Sequence, residues 1–407
     1  MAKPLEGIKV IEIGQEIQGP FAGLFLADLG AEVVKVENKE TGDLSRWMAA
    51  SLIGGPGVRN AGVSHYFIAM NRGKRSVTAD LKNPAAIEIV RRMVKAYDVL
   101  LTNYRPGVLD RLGLGYEEVR KLNPRIVYAQ GSSWGPKGPW VMRPSRDTLA
   151  QAASGIMAKT GMPNDPPLAA GIFVADHTGA LSLAGGILAA LVARERTGTS
   201  QKVDVSIYGT MIAMQGMEIN YTSITGQEPE RAGRGHQFLH GVWGAFPTKD
   251  GHICILATTD SQSRHLFEAI DCPELADDHR FSTLARRTDN IGELYGIIIE
   301  RMSRRTTAEW RERLDSFDVP NGVVASLEGL LADPYLNDAG FFEQVEHPSE
   351  GTMLTTAIPV MFSGSPGDSF RLPPPRLGEH TRSLLGELGY SEAAIDDITA
   401  QASAIRD

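Results

Sequence analysis

Short β-branched runs alternate with helix-period segments from Ile8 to Gln130, and no other feature restricts the fold of this chain as strongly. Ile8–Ile13 reads as a strand, Phe21–Leu29 as a helix and Ala31–Glu37 as a second strand. Ser76–Leu81, Asp98–Thr102 and Arg125–Gln130 are further strands. Between them fall helices at Pro84–Ala96, opened by a helix-compatible proline, and at Val108–Leu122. Strands separated by crossover helices predict a parallel, doubly wound α/β sheet with helices on both faces. In such a sheet the ligand crevice opens beyond the carboxyl ends of the strands.

The pattern continues through a small-residue helix, Leu181–Arg194, which is apolar almost all round and is expected to be buried. Strand Val203–Ile207 and a helix around Met211–Ile219 follow, and then the composition changes. Thr222–Gly241 is loop-like. Gly244–Thr248 and His252–Thr258, joined by Lys249-Asp250-Gly251, read as a hairpin. Helices at 261–270, 290–303 and 307–316 complete a smaller α+β region over 225–325. The tail carries a strand at Thr355–Phe362, the turn Pro373-Pro374-Pro375 and a helix at Thr381–Leu388.

A net charge of −8 argues against general nucleic-acid binding and against anionic membranes. No uncharged apolar run reaches transmembrane length, and the N-terminal stretch lacks a signal peptide. A cytoplasmic protein with no nucleic-acid or membrane partner is therefore expected. Cys254 and Cys272 fit neither a disulfide framework nor a metal spacing and read as reduced core or near-core residues. No cluster of His, Cys and carboxylates predicts a metal.

The chemistry concentrates in a few places. Asp176 closes the apolar run of Gly171–Ala180 and precedes the long helix. A carboxylate there faces unpaired N–H groups and the positive end of the helix dipole, so it is expected to stay ionised at neutral pH. It reads either as an N-cap or as a nucleophile toward an activated acyl group. Arg146-Asp147 reads either as a capping or surface pair, or as a guanidinium gripping a substrate carboxylate beside a second acid. Arg72, Lys74, Arg75, Lys82, Arg105 and Arg111 fall around predicted strand ends, as scattered surface charge or as a pocket for a phosphorylated ligand. The glycine-rich stretch Ala232–Gln237 lacks the Lys-Ser/Thr of a P-loop and is a plain loop or a mobile cover over a site. The turn Gly14–Pro20 departs from Gly-x-Gly-x-x-Gly, and Glu16 and Pro20 would crowd a pyrophosphate, which disfavours NAD chemistry. His177 reads as structural, since no Ser or Cys pairs with it at a recognisable spacing.

In their order these segments resemble the class III CoA-transferases, the family of formyl-CoA transferase and crotonobetainyl/carnitine CoA-transferase. The resemblance runs from Pro4–Val10 into Gly19-Pro20, through Leu26–Glu37, Gly42-Asp43 and Lys74-Arg75-Ser76. It continues in Asn103–Gly107, Leu109–Gly113, Leu122–Arg125, the Asp176 segment, Thr197-Gly198, Gln201–Val205 and Leu377–Thr381. It implies a Rossmann-like large domain built from 1–210 and 330–407, a small domain over 225–325, linkers at 211–224 and 326–329, and two chains interlocked as a dimer. Asp176 falls on the family's catalytic acid and Asp147 on a second acidic position. Ala79, Lys82, Asn103, Tyr104 and Arg111 fall on coenzyme A contacts, and the basic cluster, Arg75 included, would hold the nucleotide phosphates. Gly233 and Gly235 fall near the family's loop over the active site.

The activity implied is transfer of CoA from an acyl-CoA donor to a carboxylic acid through an aspartyl anhydride and an aspartyl-CoA thioester. Coenzyme A is then a substrate, and no tightly bound cofactor or metal is expected. Departures from the family pattern refine this. Asn38 stands where formyl-CoA transferase carries an Arg, and Ile17 replaces a Gln, with Gln18 one residue later. Arg146 replaces an aromatic residue and is expected to recognise a second carboxylate, hence a dicarboxylate acceptor such as a substituted succinate with succinyl-CoA as donor. Two alternatives share the resemblance. An α-methylacyl-CoA racemase would need a proton-shuttling His where Arg146 stands, and a guanidinium is too basic for that role. A non-catalytic subunit of a heteromeric transferase would not need Asp176.

Overall fold

The structure, a computed structural model, describes residues 3–48, 64–348, 351–364 and 372–403. The strands β1 (Lys9–Ile13), β2 (Glu32–Glu37), β3 (Lys74–Thr78), β4 (Val99–Thr102), β5 (Val127–Ser132) and β6 (Lys202–Ser206) form one sheet in the order β3-β2-β1-β4-β5-β6. Every neighbouring pair is parallel, as the alternation predicts. Period-two alternation divides the strand side chains between two apolar layers. In β4, for example, Leu100 faces one layer while Val99 and Leu101 face the other. Helix α1 (Gln18–Asp28) covers the second layer, and α2 (Pro84–Ala96) covers the first through Ile87, Val90, Met93 and Val94. Leu384 and Leu385 of the C-terminal segment join the α2 layer, so the chain's end closes the face opposite α1.

Three further helices frame the site: α3 (Asp147–Ser154), α4 (Val174–Thr197) and α5 (Ile207–Ala213). Only one face of α4, including Ala180, Leu183, Ala184 and Ile187, meets the sheet and α1. Leu181 and Val192 are 45% and 58% exposed, which corrects the expectation of a helix buried all round. Among the described residues α4 is the one helix long and apolar enough to cross a membrane by length and composition. Its inner face is part of the sheet's own core, the arrangement of a core helix.

Boundaries differ from expectation where local chemistry overrides the apolar period. The segment Val108–Leu122 is two helices, Val108–Arg111 and Tyr116–Leu122, because Gly113 turns the chain at φ +69°. The expected strand at Thr355–Phe362 is displaced into an antiparallel pair, Phe342–His347 with Gly351–Thr356. A final helix, Glu392–Ser403, follows the expected one.

By contacts the chain divides into two compact units. The first comprises 1–154, 171–214 and 335–407 and contains the six-stranded sheet. The second comprises 155–170 and 215–334. The segment 155–170, expected within the larger domain, groups with the second unit, and most of 211–224, expected as a linker, is helical. In the second unit Val242–Pro247, His252–Ala257 and Asn321–Val323 form an antiparallel sheet backed by helices Asp260–Ala269, Ile291–Met302 and Thr307–Ser316. Phe246, Ile255, Leu266, Ile298 and Trp310 fill its core. Cys272 is buried in that core, Cys254 is half-buried, and both are free.

Candidate active site

The strand order reverses between β1 and β4, so the loops leaving their carboxyl ends diverge and open a crevice. A cavity of about 390 Å³ occupies that position. Gln15–Gln18 after β1, Asn103–Pro106 after β4 and Ser132-Ser133 after β5 line it. Arg143, Arg146 and Asp176 complete the wall.

The β1 loop is held in an uncommon shape. Glu16 sits at φ 64°, in the left-handed region that a Glu rarely adopts. The Asn103 side chain clamps Gln15 on both sides, accepting from its N–H at 2.9 Å and donating to its carbonyl at 2.8 Å. Asp43 accepts the Glu16 N–H at 3.1 Å. Beneath lies a fully buried ionic cluster. Lys35 contacts Asp43 at 2.8 Å and Glu12 at 2.7 Å, and donates to the Gly14 carbonyl at 3.0 Å. Lys74 reaches the other Glu12 oxygen at 2.7 Å and donates to the Pro20 carbonyl at 2.7 Å. Burial alone would raise the Glu12 carboxyl, but Lys35 and Lys74 outweigh it and hold the group below the usual carboxylate range. Lys35 does the same for Asp43. Two carboxylates thus face two ammoniums under the loop.

Asp176 lies in the first turn of α4, and the N-cap is Phe173, which offers no side-chain cap. The capping role weighed for Asp176 therefore belongs elsewhere. The buried Asp147, at the start of α3, accepts the Asp176 backbone N–H at 3.0 Å. Its other oxygen accepts from the Gln151 amide. Asp147 thereby satisfies one of the helix's orphan donors from outside the helix. The Asp176 carboxylate itself receives no hydrogen bond among the described residues. Its pKa is pushed up to about 7, first by burial, then by the negative charges of Asp147 and Glu16, with Arg146 opposing. The expectation that the carboxylate stays ionised at neutral pH is corrected accordingly: burial and the neighbouring negative charges raise its pKa well above the ordinary carboxylate range.

Gln18, the first residue of α1, is buried between β5 and α4. A Cβ on Gly131 would lie 2.6 Å from its amide oxygen, and one on Gly179 would lie 2.7 Å from Ile207 Cγ2 and 3.2 Å from the Gln18 nitrogen, so a larger residue at either position would push a neighbouring side chain aside. The Gln18 amide nitrogen has no hydrogen-bond partner among the described residues. A buried donor left open at a cavity wall is placed to serve a ligand oxygen. Arg146, expected to grip a substrate carboxylate, pairs at 2.6 Å with Glu16. The Arg143 guanidinium carbon lies 5.6 and 5.2 Å from the ring centres of Trp134 and Trp140, which pack edge-on against each other. Neither Arg143 nor Arg105 forms an ion pair among the described residues.

A second cavity, about 330 Å³, adjoins the first and shares Tyr104 and Val108 with it. Ala79, Lys82, Tyr104 and Arg111 line it together, as expected from sequence. Asn103 lines the first cavity instead, with its amide engaged on Gln15. Arg75 lines neither: it pairs with Glu32 at 2.9 Å and Glu387 at 2.6 Å. Lys74 belongs to the buried cluster and Arg72 is buried against Asp28. The anticipated convergence of cations thus reduces to Lys82 and Arg111 in one cavity and Arg105 in the other, because Arg72, Lys74 and Arg75 are each engaged by carboxylates elsewhere. Asn38 lies in the second cavity, but its side-chain oxygen closes a local turn, accepting from Glu40 and Thr41 N–H groups. His177 is structural, with Nδ1 2.7 Å from the Phe173 carbonyl and its ring edge-on to Phe21. Gly233 and Gly235 lie in the second unit, on the loop between Gly226 and Gly241, where Gly233 takes φ +67°.

Sequence reasoning missed Arg143 as a site residue and saw Glu16 only as an obstacle. The one available signal for Arg143 was its proximity to two tryptophans in a glycine-bearing loop; for Glu16 there was none, since its role depends on a backbone angle.

Known proteins place these features in context. The model of CoA-transferase family III matches residues 5–381. Human succinyl-CoA:glutarate CoA-transferase is 33% identical over 398 residues, covering 97% of this chain and 89% of that protein. Succinate–glutarate CoA-transferase of Agrobacterium fabrum is 34% identical over 392 residues, covering 95% and 96%. The crystal structure of a CAIB/BAIF family protein from Brucella suis superposes with a TM-score of 0.85 at 31% identity, covering 95% of this chain and all of that one.

Proposed function

This chain belongs to CoA-transferase family III, and from that premise we propose that Asp176 carries the acyl group and then CoA during transfer between a dicarboxylic donor and acceptor. The observation that carries this reading is the Asp176 carboxylate: unbonded, partly desolvated and facing a cavity that adjoins the Lys82–Arg111 pocket. Relatives named for glutarate and succinyl-CoA support the dicarboxylate class.

In the proposed cycle the Asp176 carboxylate attacks the donor thioester carbonyl, and the C–S bond breaks to give an acyl-aspartyl anhydride and CoA thiolate. The thiolate attacks the aspartyl carbonyl, releasing the donor acid and leaving an aspartyl-CoA thioester. The acceptor carboxylate attacks that carbonyl, expelling the thiolate and forming a second anhydride. Thiolate attack on the acceptor's carbonyl then yields the new acyl-CoA and frees Asp176. Each step exchanges one activated acyl group for another, so no external energy source is required. The open Gln18 amide is positioned to donate to a developing oxyanion. Asp147 acts as a positioning residue, since it fixes the helix turn that bears Asp176. Lys82 and Arg111 would meet the coenzyme's phosphates. The interlocked pair of chains implied by the resemblance and the cytoplasmic setting expected from the sequence belong to the same proposal, as does a large unit that binds the coenzyme.

Incubating the protein with succinyl-CoA and glutarate should generate glutaryl-CoA, read by mass spectrometry; failure with every dicarboxylate pair tried would reject the substrate class. Two further outcomes are expected. Only ionised Asp176 attacks, and its carboxyl holds a proton up to about 7, so kcat/KM should fall tenfold per unit as pH drops below that value. A profile flat from pH 8 to 5 would contradict this. Replacing Arg111 or Lys82 with Ala should raise the KM for acyl-CoA roughly tenfold or more, the scale of one charge-assisted contact, with less effect on kcat.

A further inference from the structure

We infer that Glu16 is a built-in stand-in for the distal carboxylate of a dicarboxylic substrate, holding Arg146 in position until that carboxylate displaces it. This rests on the proposed transfer at Asp176 and specifies how the same site selects its substrate class. Glu16, Arg146 and Asp176 line one cavity, and the Glu16–Arg146 pair spans its wall at 2.6 Å. The Arg146 side chain is 62% exposed and that of Glu16 26%, so the pair is open to the cavity rather than sealed in the core. An exposed ion pair of this kind is weak, and an incoming carboxylate of the same charge and geometry competes with it on equal terms.

The backbone shows that the pairing is imposed. Glu16 is held at φ 64° while Asp43 fixes its N–H, and Asp43 is itself fixed by the buried Lys35. The loop therefore aims the Glu16 carboxylate at Arg146 against the residue's own backbone preference. Arg146 in turn immediately precedes Asp147, whose carboxylate holds the Asp176 N–H. A substrate carboxylate seated on Arg146 would thus be registered against the turn that carries the nucleophile. A monocarboxylate has no group to exchange with Glu16 and leaves the pair closed.

The test compares kcat/KM for glutarate with that for pentanoate, an acid of the same chain length, in five proteins: unmodified, Glu16→Gln, Arg146→Gln, the Glu16→Gln/Arg146→Gln double variant and Arg143→Gln. Glu16→Gln should raise the glutarate-to-pentanoate ratio about tenfold. Arg146→Gln should collapse the ratio, and Glu16→Gln should then add nothing in that background. A ratio insensitive to Glu16→Gln, an equal effect of Glu16→Gln in the Arg146→Gln background, or loss of the ratio in Arg143→Gln but not Arg146→Gln would overturn the inference. Should Glu16→Gln fail to fold, Glu16→Asn removes the charge with a residue that tolerates the left-handed backbone. Transfer that survives Asp176→Asn overturns the underlying mechanism; transfer that needs Asp176 but ignores Glu16 overturns this inference alone.

Discussion

Asp176→Asn is expected to lower CoA transfer by at least about 10³-fold, the scale on which loss of a covalent nucleophile is felt. The carboxamide has the same shape but cannot form the anhydride. Its backbone N–H still reaches Asp147, so the first turn of α4 keeps its external cap. The variant should in fact be the more stable protein at alkaline pH. In the folded chain the Asp176 carboxyl holds its proton up to about 7, whereas its ordinary value is 3.8. A carboxyl pKa raised on folding means that wild-type stability declines as pH rises from about 4 through 7, while Asn does not titrate. The melting-temperature advantage of the variant should therefore be complete above pH 7 and vanish toward pH 4. Loss of activity together with a higher melting temperature separates removal of a nucleophile from collapse of the fold.

Lys35→Met is expected to destabilise the protein by about 3–5 kcal/mol, a fall on the order of 10 °C in Tm by calorimetry. Lys35 is fully buried and, among the described residues, is the only contact shared by Glu12, Asp43 and the Gly14 carbonyl. Without it two buried carboxylates face Lys74 alone, and the cost of an uncompensated buried charge far exceeds the loss of one hydrogen bond. The Gly14–Glu16 loop also loses its anchor, so activity should fall with stability. Lys121→Met is the control. Lys121 meets Glu118 at 2.6 Å, but both are exposed, and no measurable change in Tm is expected.

The parallel α/β sheet was legible because each of its first five strands is a short segment carrying Val, Ile or Thr and set between helical periods. Helix boundaries were less so. The start of α1 at Gln18 is hidden by Gly19 and Pro20, which read as a turn although proline is tolerated in a first helical turn. The start of α4 is hidden because Ile172, Phe173 and Val174 have extended preferences, yet the helix takes in Val174 and captures Asp176 in its first turn. Asp176, Asp147 and the Lys82–Arg111 pocket were anticipated because ordered motifs carry them. The fate of Arg72, Lys74 and Arg75 was not, since a cation in sequence carries no mark of whether a carboxylate waits on the neighbouring strand. Glu12, alternating with apolar neighbours in β1, is the partner that draws Lys74 inward. The Glu16–Arg146 pair joins residues far apart in sequence through a left-handed backbone angle, and neither separation nor angle is written in residue type.

The most direct measurement is chemical trapping during turnover. Hydroxylamine added to the protein in the presence of succinyl-CoA should convert the Asp176 side chain to a hydroxamate, found by peptide mass spectrometry and absent when acyl-CoA is withheld. Recovery of unmodified Asp176 from enzyme that is turning over and inactivated by hydroxylamine, or a hydroxamate on Glu16 or Asp147 in its place, would contradict the assignment of this carboxylate as the acyl carrier.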